Sequence, residues 1–491
     1  MKMSDIKRQH PLMIIMEAVR SFVYMLPPVF LFLLSISEEI ELSAVLSYIW
    51  ILVIPAVAFF ALSTLRWYLY TYRYEEGYLH IKLGLIFKKE RSLKKERVQT
   101  VNIRTGLLQR LLDVATVRIE TAGGGMESEV ILKAVKMEEA QRIRSYLESG
   151  SKSRSHVDAE ESKGDISDNV SEHDTEYGIT ASYVLPIRKI FLAGATSGRF
   201  MLLFSFIAAA FSQFYPYIPE DITDLLIEQL IPESNTDILL IVIILLSLLL
   251  LSWLVSVLAY MVKYANFSIR RQHEYLNISW GMIEQKEFTL KVNRIQALSI
   301  QEGLFRQPFG LCAINSEVAG GGLRDQEYVT IICPLLHKRE LATFLERILP
   351  EYKIPTSMTS VPRRSRKRYL FRTFVTAIII ILPMQLLPYG WLGLLLLLPA
   401  FMLGLSRYRT GATSIDDKQL TFRFRNINRY MVLMVQNHIQ SLESGSNPFQ
   451  RKSDLSNIST SVLSSPSGKI FHVDNVDDQE TKKIWKFFSG N

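Results

Sequence analysis

From Ile238 to Val262 the chain runs 25 residues without a charged side chain, and no other feature limits its fold so strongly. A helix crosses the hydrocarbon core of a bilayer with about 17 to 25 apolar residues, so this run reads as a membrane span rather than a helix buried in a soluble core. Five similar stretches join it, and the six fall into pairs: roughly 21 to 37 with 45 to 64, 200 to 218 with 238 to 262, and 371 to 388 with 390 to 406. The last pair is broken only at Tyr389 and carries Arg372 near its entrance. Charged residues still make up 21% of the chain, so they are concentrated between the pairs, in segments that face water.

Lys and Arg in the short flanks set the orientation, because basic loops stay on the cytoplasmic side. Lys7, Arg8 and Arg20 precede the first pair, with Arg66 and Arg73 after it. Arg188, Lys189 and Arg199 precede the second, with Lys263, Arg270 and Arg271 after it. Arg363, Arg364, Arg366, Lys367 and Arg368 precede the third, with Arg407 and Arg409 after it. The turns inside the first two pairs are acidic, with Glu38, Glu39 and Glu41 in one and Glu220, Asp221, Asp224 and Glu228 in the other. The expected arrangement is a multi-pass protein of the cell membrane, with three helical hairpins and both termini cytoplasmic. No secretory signal is evident, since no small-residue cleavage pattern follows the first apolar run. Cys312 and Cys333 lie in apolar runs, where a thiol packs as a small hydrophobe, which favours a reducing compartment. A net charge of +8 is too mild to indicate nucleic acid and suits an anionic membrane face.

The water-facing segments repeat. Residues 79 to 125 match residues 276 to 322 without a gap at an offset of 197: Leu79, Gly84, Leu93, Arg97, Gln99, Gly106 and Glu120 recur as Leu276, Gly281, Leu290, Arg294, Gln296, Gly303 and Glu317. A worn third copy follows at an offset of 144, keeping Ile439, Gln440, Phe449, Leu455 and Val462. It places His438 where the others have arginine, and Ser464, Ser465 and Pro466 where they have three glycines. Within a copy, short alternating or β-branched runs such as YLHIKLG, VQTVNI and TVRIET predict strands. An amphipathic helix closes each one, over Glu138 to Glu148, Lys338 to Ile348 and the tail after Asp478. Several strands followed by one helix is the plan of a small α+β barrel.

With GYLHIKLG and EYLNISWG, RVQ and RIQ, GLLQRLLDV and GLFRQPFGL, and TAGGG and VAGGG in place, the chain resembles bacterial membrane proteins carrying pleckstrin-homology-like (PH-like) domains of the second bacterial type. The resemblance covers about 80 residues in each of two copies and implies a seven-stranded, partly open barrel capped by a C-terminal helix. It further implies the large member of a pair, whose partner is a smaller single-module membrane protein of the same family, and no catalytic activity or cofactor.

The residues themselves offer no catalytic constellation: metalloprotease, P-loop, nucleophile-elbow and cysteine-cluster patterns are all missing. Gly123 to Gly125 and Gly320 to Gly322 read as sheet turns, because no Gly-Lys-Ser/Thr follows. Alternation puts Arg97 with Gln99, and Arg294 with Gln296, on one strand face, with His438 and Gln440 as their counterparts. These residues are first of all candidate ties between a strand and a loop, and then candidate contacts for a ligand or partner. Two basic clusters are candidate contacts for anionic lipids of the cytosolic leaflet. They are Lys88, Lys89, Lys94 and Lys95 in one, and Arg363, Arg364, Arg366, Lys367 and Arg368 in the other. The central parts of the six stretches hold no ionisable group, which argues against an ion-coupled pump.

The expected fold is membrane α+β: three transmembrane hairpins, each followed by a cytosolic PH-like barrel with its closing helix. Residues 1–66 form the N-terminal segment and first hairpin, 67–150 the first domain, and 151–182 an acidic, Ser-rich linker. Residues 183–262 form the second hairpin and 263–353 the second domain. Residues 354–407 form a basic segment with the third hairpin, and 408–491 a divergent third domain. The expected function is a non-enzymatic, membrane-anchored binding or assembly scaffold serving envelope integrity or defence against membrane-active agents. The alternative is a transporter or lipid-handling protein with regulatory domains. For the topology, a single reporter cysteine at Glu39 or Asp224 is expected to react with an impermeant thiol reagent in intact cells, while one at Ser153 stays protected. The reverse pattern would overturn the orientation.

Overall fold

Alternating side chains build the strands, as in Tyr78–Leu83, where Leu79 and Ile81 are buried and their neighbours are not. The computed structural model describes residues 6–35, 42–75, 78–84, 88–94, 98–121, 129–148, 180–214, 236–319, 330–386, 390–464 and 468–490. The first set of elements is β1 (Lys7–Arg8), α1 (Leu12–Ser35), α2 (Leu42–Leu69), β2 (Thr71–Glu75), β3 (Tyr78–Leu83), β4 (Lys89–Lys94), β5 (Val98–Thr105), α3 (Leu107–Leu111), β6 (Val114–Thr121), β7 (Glu129–Lys136) and α4 (Met137–Glu148). The middle set is β8 (Ala181–Val184), α5 (Ile187–Ala195), α6 (Phe200–Phe214), α7 (Thr236–Tyr264), β9 (Ser268–Gln272), β10 (Tyr275–Trp280), β11 (Gln285–Lys291), β12 (Ile295–Glu302), β13 (Leu311–Val318), β14 (Thr330–His337) and α8 (Leu341–Ile348). The last set is β15 (Thr359–Ser360), α9 (Arg366–Met384), α10 (Leu397–Thr410), β16 (Ala412–Asp416), β17 (Gln419–Arg425), β18 (Arg429–Val435), β19 (Ile439–Gly445), α11 (Pro448–Arg451), β20 (Leu455–Val462), β21 (Lys469–Asp477) and α12 (Asp478–Ser489).

Each set thus has seven strands, and one of them comes from before the helical pair. Lys7 and Arg8 pair with Tyr72 and Thr71, Ala181–Val184 with residues of β9, and Thr359 and Ser360 with Thr413 and Ala412. The helices therefore leave and re-enter the sheet on neighbouring strands.

The chain divides into two compact units. Unit one is Met1–Thr175 with Ile283–Thr289, and unit two is Glu176–Met282 with Leu290–Asn491. In unit one, β1-β2-β3-β4 form one sheet, and β5, β6 and β7 pair in sequence. Leu79, Ile81, Val101, Ile119 and Leu132 make the core, and Ala140 and Ile143 of α4 close it. Gln285, Lys286 and Glu287, which count with this unit, pair with Thr105, Arg104 and Ile103. In unit two, β14-β13-β12-β18-β17-β16-β15 form a continuous seven-stranded sheet, because β12 pairs with β18 from Ala297↔Met434 to Glu302↔Arg429. The sheet β19-β20-β21 packs with α12 around Phe422, Ile458, Val473 and Ile484.

Equivalent positions adopt the same left-handed backbone conformation. Asp113, Gly310 and Asp454 all have positive φ, at 50°, 63° and 47°. Their carbonyls accept hydrogen bonds from Met137 N, Lys338 N and Asp478 N at 2.9, 3.0 and 3.1 Å, at the start of each closing helix. Asp tolerates this left-handed region better than most residues, and glycine at no cost.

The expected six spans are only partly matched. Among the described residues, Val242–Tyr264 and Gly390–Thr410 are long and apolar enough to cross a membrane. Ile187–Ala195 and Phe200–Ala209 are bent by 52° and count as a third span if the two are taken together. The expected stretch 200 to 218 is thus preceded by a separate helix, and α9 begins inside the basic segment, whose four cations within Arg366–Arg372 dilute its apolar character. Of the first pair, α2 is apolar over Val53–Leu69, and the side chains of residues 25–52 lie outside the described ones. The triple glycines, most of the acidic linker, Arg97 and Lys95 lie outside the described residues.

Where helices meet, small residues set the distance. A Cβ on Gly194 of α5 would stand 3.1 Å from Tyr260 Cβ of α7, and one on Gly404 of α10 would stand 3.2 Å from Leu370 Cα of α9 and clash with the Thr373 hydroxyl. Gly404→Val is therefore expected to push α9 and α10 apart and cost about 1–3 kcal/mol, as overpacking does. Thermal unfolding of the purified protein in detergent checks it, and an unchanged midpoint would show that the pair is loosely packed.

Candidate functional site

In the middle copy the repeated Arg sits at a tight turn and the repeated Gln on the strand that follows it. Gln99 lies on β5, with its side chain outside the described ones. In the middle copy, Arg294 ends a 3-10 turn and its carbonyl accepts from Ala319 N at 3.0 Å. Gln296 is buried, and its Nε2 donates to the same carbonyl at 3.3 Å. In the last copy, His438 ends the corresponding turn. Burial holds its pKa below the usual histidine value, while a hydrogen bond to the Ile295 backbone acts in the opposite direction. Its Nδ1 is buried without a hydrogen-bond partner. The His438 ring thus reaches the backbone of Ile295, the residue between Arg294 and Gln296, whereas Gln440 is exposed on β19.

The basic residues divide by what they touch. Lys88, Lys89 and Lys94 are exposed around β4. Arg364 donates to Asp454 O at 3.0 Å and pairs with Asp477 at 2.7 Å, and Arg368 donates to Phe449 O and, at 2.9 Å, to Ser453 Oγ. These two arginines fasten the start of α9 to the last set of strands. Arg363, Arg366 and Lys367 are exposed.

One further helical turn along α9, a small cleft opens between the helix ends and the sheet. Arg372, Arg407 and Arg425 line it, with Asp474, His472 and Phe424. Arg372 pairs with Asp474, Arg407 Nε donates to Asn426 O at 3.1 Å, and Arg425 Nε donates to Thr410 Oγ1 at 3.3 Å. Tyr369 donates its hydroxyl proton to Asp474 O at 2.6 Å, and His472 stacks on Phe424 with ring centroids 5.9 Å apart. Three guanidiniums facing one carboxylate leave a positive surplus in a half-enclosed space. That is the chemistry of a phosphate or carboxylate site.

Sequence reasoning missed a second repeated position. Gln109, Arg306 and Gln450 occupy equivalent places in the three copies, and all three are buried. Gln109 Nε2 donates to Thr116 Oγ1 and Lys133 O, both at 2.9 Å, and Gln450 Nε2 to Asn457 and Asn475 Oδ1 at 2.7 and 2.9 Å. Arg306 donates to Pro334 O at 3.1 Å and, at 3.0 Å, to Ala193 O of α5. The signal was available: one polar residue inside GLLQRLL, GLFRQPF and NPFQRKS at the offsets of the repeat. Burial pushes the Cys312 and Cys333 thiols up to about 12, which leaves them as unreactive packing groups. Among the described residues no group of three His, Cys, Asp or Glu side chains is placed to hold a metal ion.

The profile of a family described as Bacterial PH domain matches residues 23–151 and 222–352, just over half of the chain. The chain is also 29% identical, across 99% of each protein, to the UPF0699 transmembrane protein YdbT of Bacillus subtilis (strain 168). The two matched regions contain the two clear copies of the repeat, and the transmembrane relative agrees with the apolar helices.

His438 yields a pH test. Its folded pKa lies below the unfolded value of about 6.5, so the stability it allows is complete above that value and declines as pH falls below it toward the folded pKa. The opening free energy of β12 and β18 amides, taken from hydrogen exchange corrected for the intrinsic rate at each pH, is expected to fall below about pH 6.5, and His438→Gln is expected to flatten that dependence. Equal profiles in the two proteins would show that another group governs it.

Proposed function

Because this chain belongs to the bacterial PH domain family, we propose that it is a membrane-anchored binding and assembly scaffold rather than an enzyme. In this reading the three copies of the repeat are three PH-like modules, the last one divergent. Each follows a transmembrane hairpin, and all three lie on the cytoplasmic side with both termini. The observation that supports the reading is the direct fastening of strands to the helical pairs: Arg364, Arg368, Tyr369 and Arg372 bind α9 to the last module, and Arg306 binds the middle module to α5. Modules held at fixed positions on one bilayer present their surfaces at high effective concentration, so contacts that are weak singly add to a stable assembly. The partner we propose is a smaller single-module membrane protein of the same family, with anionic lipids of the cytosolic leaflet at the basic residues. Envelope integrity or defence against membrane-active agents is the process that suits a non-catalytic membrane assembly.

The arginine-lined cleft favours a second reading, lipid handling, because a lipid phosphate matches its charge. Affinity purification from native membranes, with identification of bound proteins and lipids, separates the two. Arg97→Ala with Arg294→Ala is expected to reduce co-purified partner by about tenfold, roughly one charge-assisted hydrogen bond, without loss of the protein from the membrane. Degradation of the double variant would assign both arginines to the fold. Deleting the gene is expected to sensitise cells to membrane-active peptides. Unchanged survival with altered uptake or efflux of a defined solute would favour transport.

A further inference from the structure

The two strand junctions between copies use one register. Gln285, Lys286 and Glu287 oppose Thr105, Arg104 and Ile103, and Arg429, Tyr430 and Met431 oppose Glu302, Gln301 and Ile300. At the offsets of the repeat these are the same three pairs. The rule joins the strand after one copy's turn to the fourth strand of the copy that follows. Two strands of the chain stand where this rule finds no successor: β4 is the outer strand of its four-stranded sheet, and β19 is the outer strand of its three-stranded sheet.

Burial marks the difference. The joined strand β12 is buried at seven of its eight residues, whereas β19 is buried only at Ile439 and Leu442. The joined strands β11 and β18 bury three consecutive residues, Phe288, Thr289 and Leu290 in one and Val432, Leu433 and Met434 in the other. Their counterparts Arg91, Ser92 and Leu93 on β4 are not buried. A charged edge of this kind discourages indiscriminate strand pairing and admits a partner of matching charge. Carried onto β4 and β19, the shared register sets Arg91 directly opposite Glu443, Glu90 opposite Ser444 and Lys89 opposite Gly445.

We propose that β4 of one copy of this protein pairs antiparallel with β19 of a second copy, joining molecules head to tail in the plane of the membrane through the register of the internal junctions. The inference rests on the assembly-scaffold reading and names the surface and the occupant. Backbone hydrogen bonds along the strands give the attraction, Arg91 and Glu443 select the register, and confinement to one bilayer supplies the concentration.

The test uses two differently tagged full-length chains co-expressed in membranes, one carrying Glu90→Cys and the other Ser444→Cys. Cys312 and Cys333 are fully buried and do not compete for oxidation. A disulfide between the two tagged copies is expected, and one at Ser446→Cys, out of register, is not. Arg91→Glu is expected to lower the cross-linked yield about fivefold, and Glu443→Arg on the other copy to restore it, which separates a lost ion pair from a misfolded strand. Equal linkage at Ser444 and Ser446, linkage only within a chain carrying both cysteines, or a yield indifferent to Arg91→Glu overturns the proposal. Should Ser444→Cys instead capture a different membrane protein, the edge has another occupant and the second copy is excluded while the scaffold reading stands. Absence of any protein at either edge, with no partner in native membranes, removes both.

Discussion

The antiparallel junction of β12 with β18 is the contact on which the second unit depends. It runs through six residue pairs, and it carries Ala297 from the middle copy into the core of the last one, against Leu420, Phe422 and Met434. At its end the buried carboxylate of Glu302 meets Lys338 at 2.7 Å and Arg429 at 3.3 Å, one cation from each copy. A carboxylate taken out of water is tolerated only with such partners, so the ion pairs and the strand register hold each other in place. Gln419 adds a further clamp, accepting from Lys353 N at 3.0 Å and donating to Lys353 O at 2.7 Å. The two copies consequently share a sheet and a core, and the boundary between them in sequence is no boundary in packing.

The same economy governs the junction with the helices. Arginine serves here chiefly as a tie to backbone carbonyls: Arg306 to Ala193 and Pro334, Arg364 to Asp454, Arg368 to Phe449, and Arg423 Nε to Thr410 O at 2.9 Å. A guanidinium offers five donors in a fixed fork, so a single side chain satisfies the last carbonyls of a helix and a strand at once.

Much of this architecture was legible in the residues. YLHIKLG and TVRIET alternate and are strands, the closing helices bury Ile143, Ile348 and Ile484 as their spacing requires, and the copies align at their turns. The helical pairs were placed near their true positions, although α1 begins at Leu12, well before the uncharged stretch. Lys7–Arg8 and Thr359–Ser360 were not legible as strands, because two residues carry no alternation. Nor was the junction of β12 with β18, since pairing between distant strands leaves no local mark once both are apolar. Among the candidate site residues, spacing placed Gln296 near Arg294 but did not reveal that its amide turns to the Arg294 carbonyl. The arginine-lined cleft draws on α9, α10, β17 and β21, and only the folded chain brings those together.

The strand that precedes each helical pair fixes an order of events during synthesis. Arg8 finds Thr71, Val184 finds Ser268 and Ser360 finds Ala412 only after the whole intervening helical pair has left the ribosome. Each of these closures is a long loop whose entropy must be met before the sheet rewards it. A packed helical pair brings the loop's ends together and removes most of that cost. Each helical pair therefore acts as a template for its sheet: a pair that fails to pack leaves the first strand of the sheet without its neighbour.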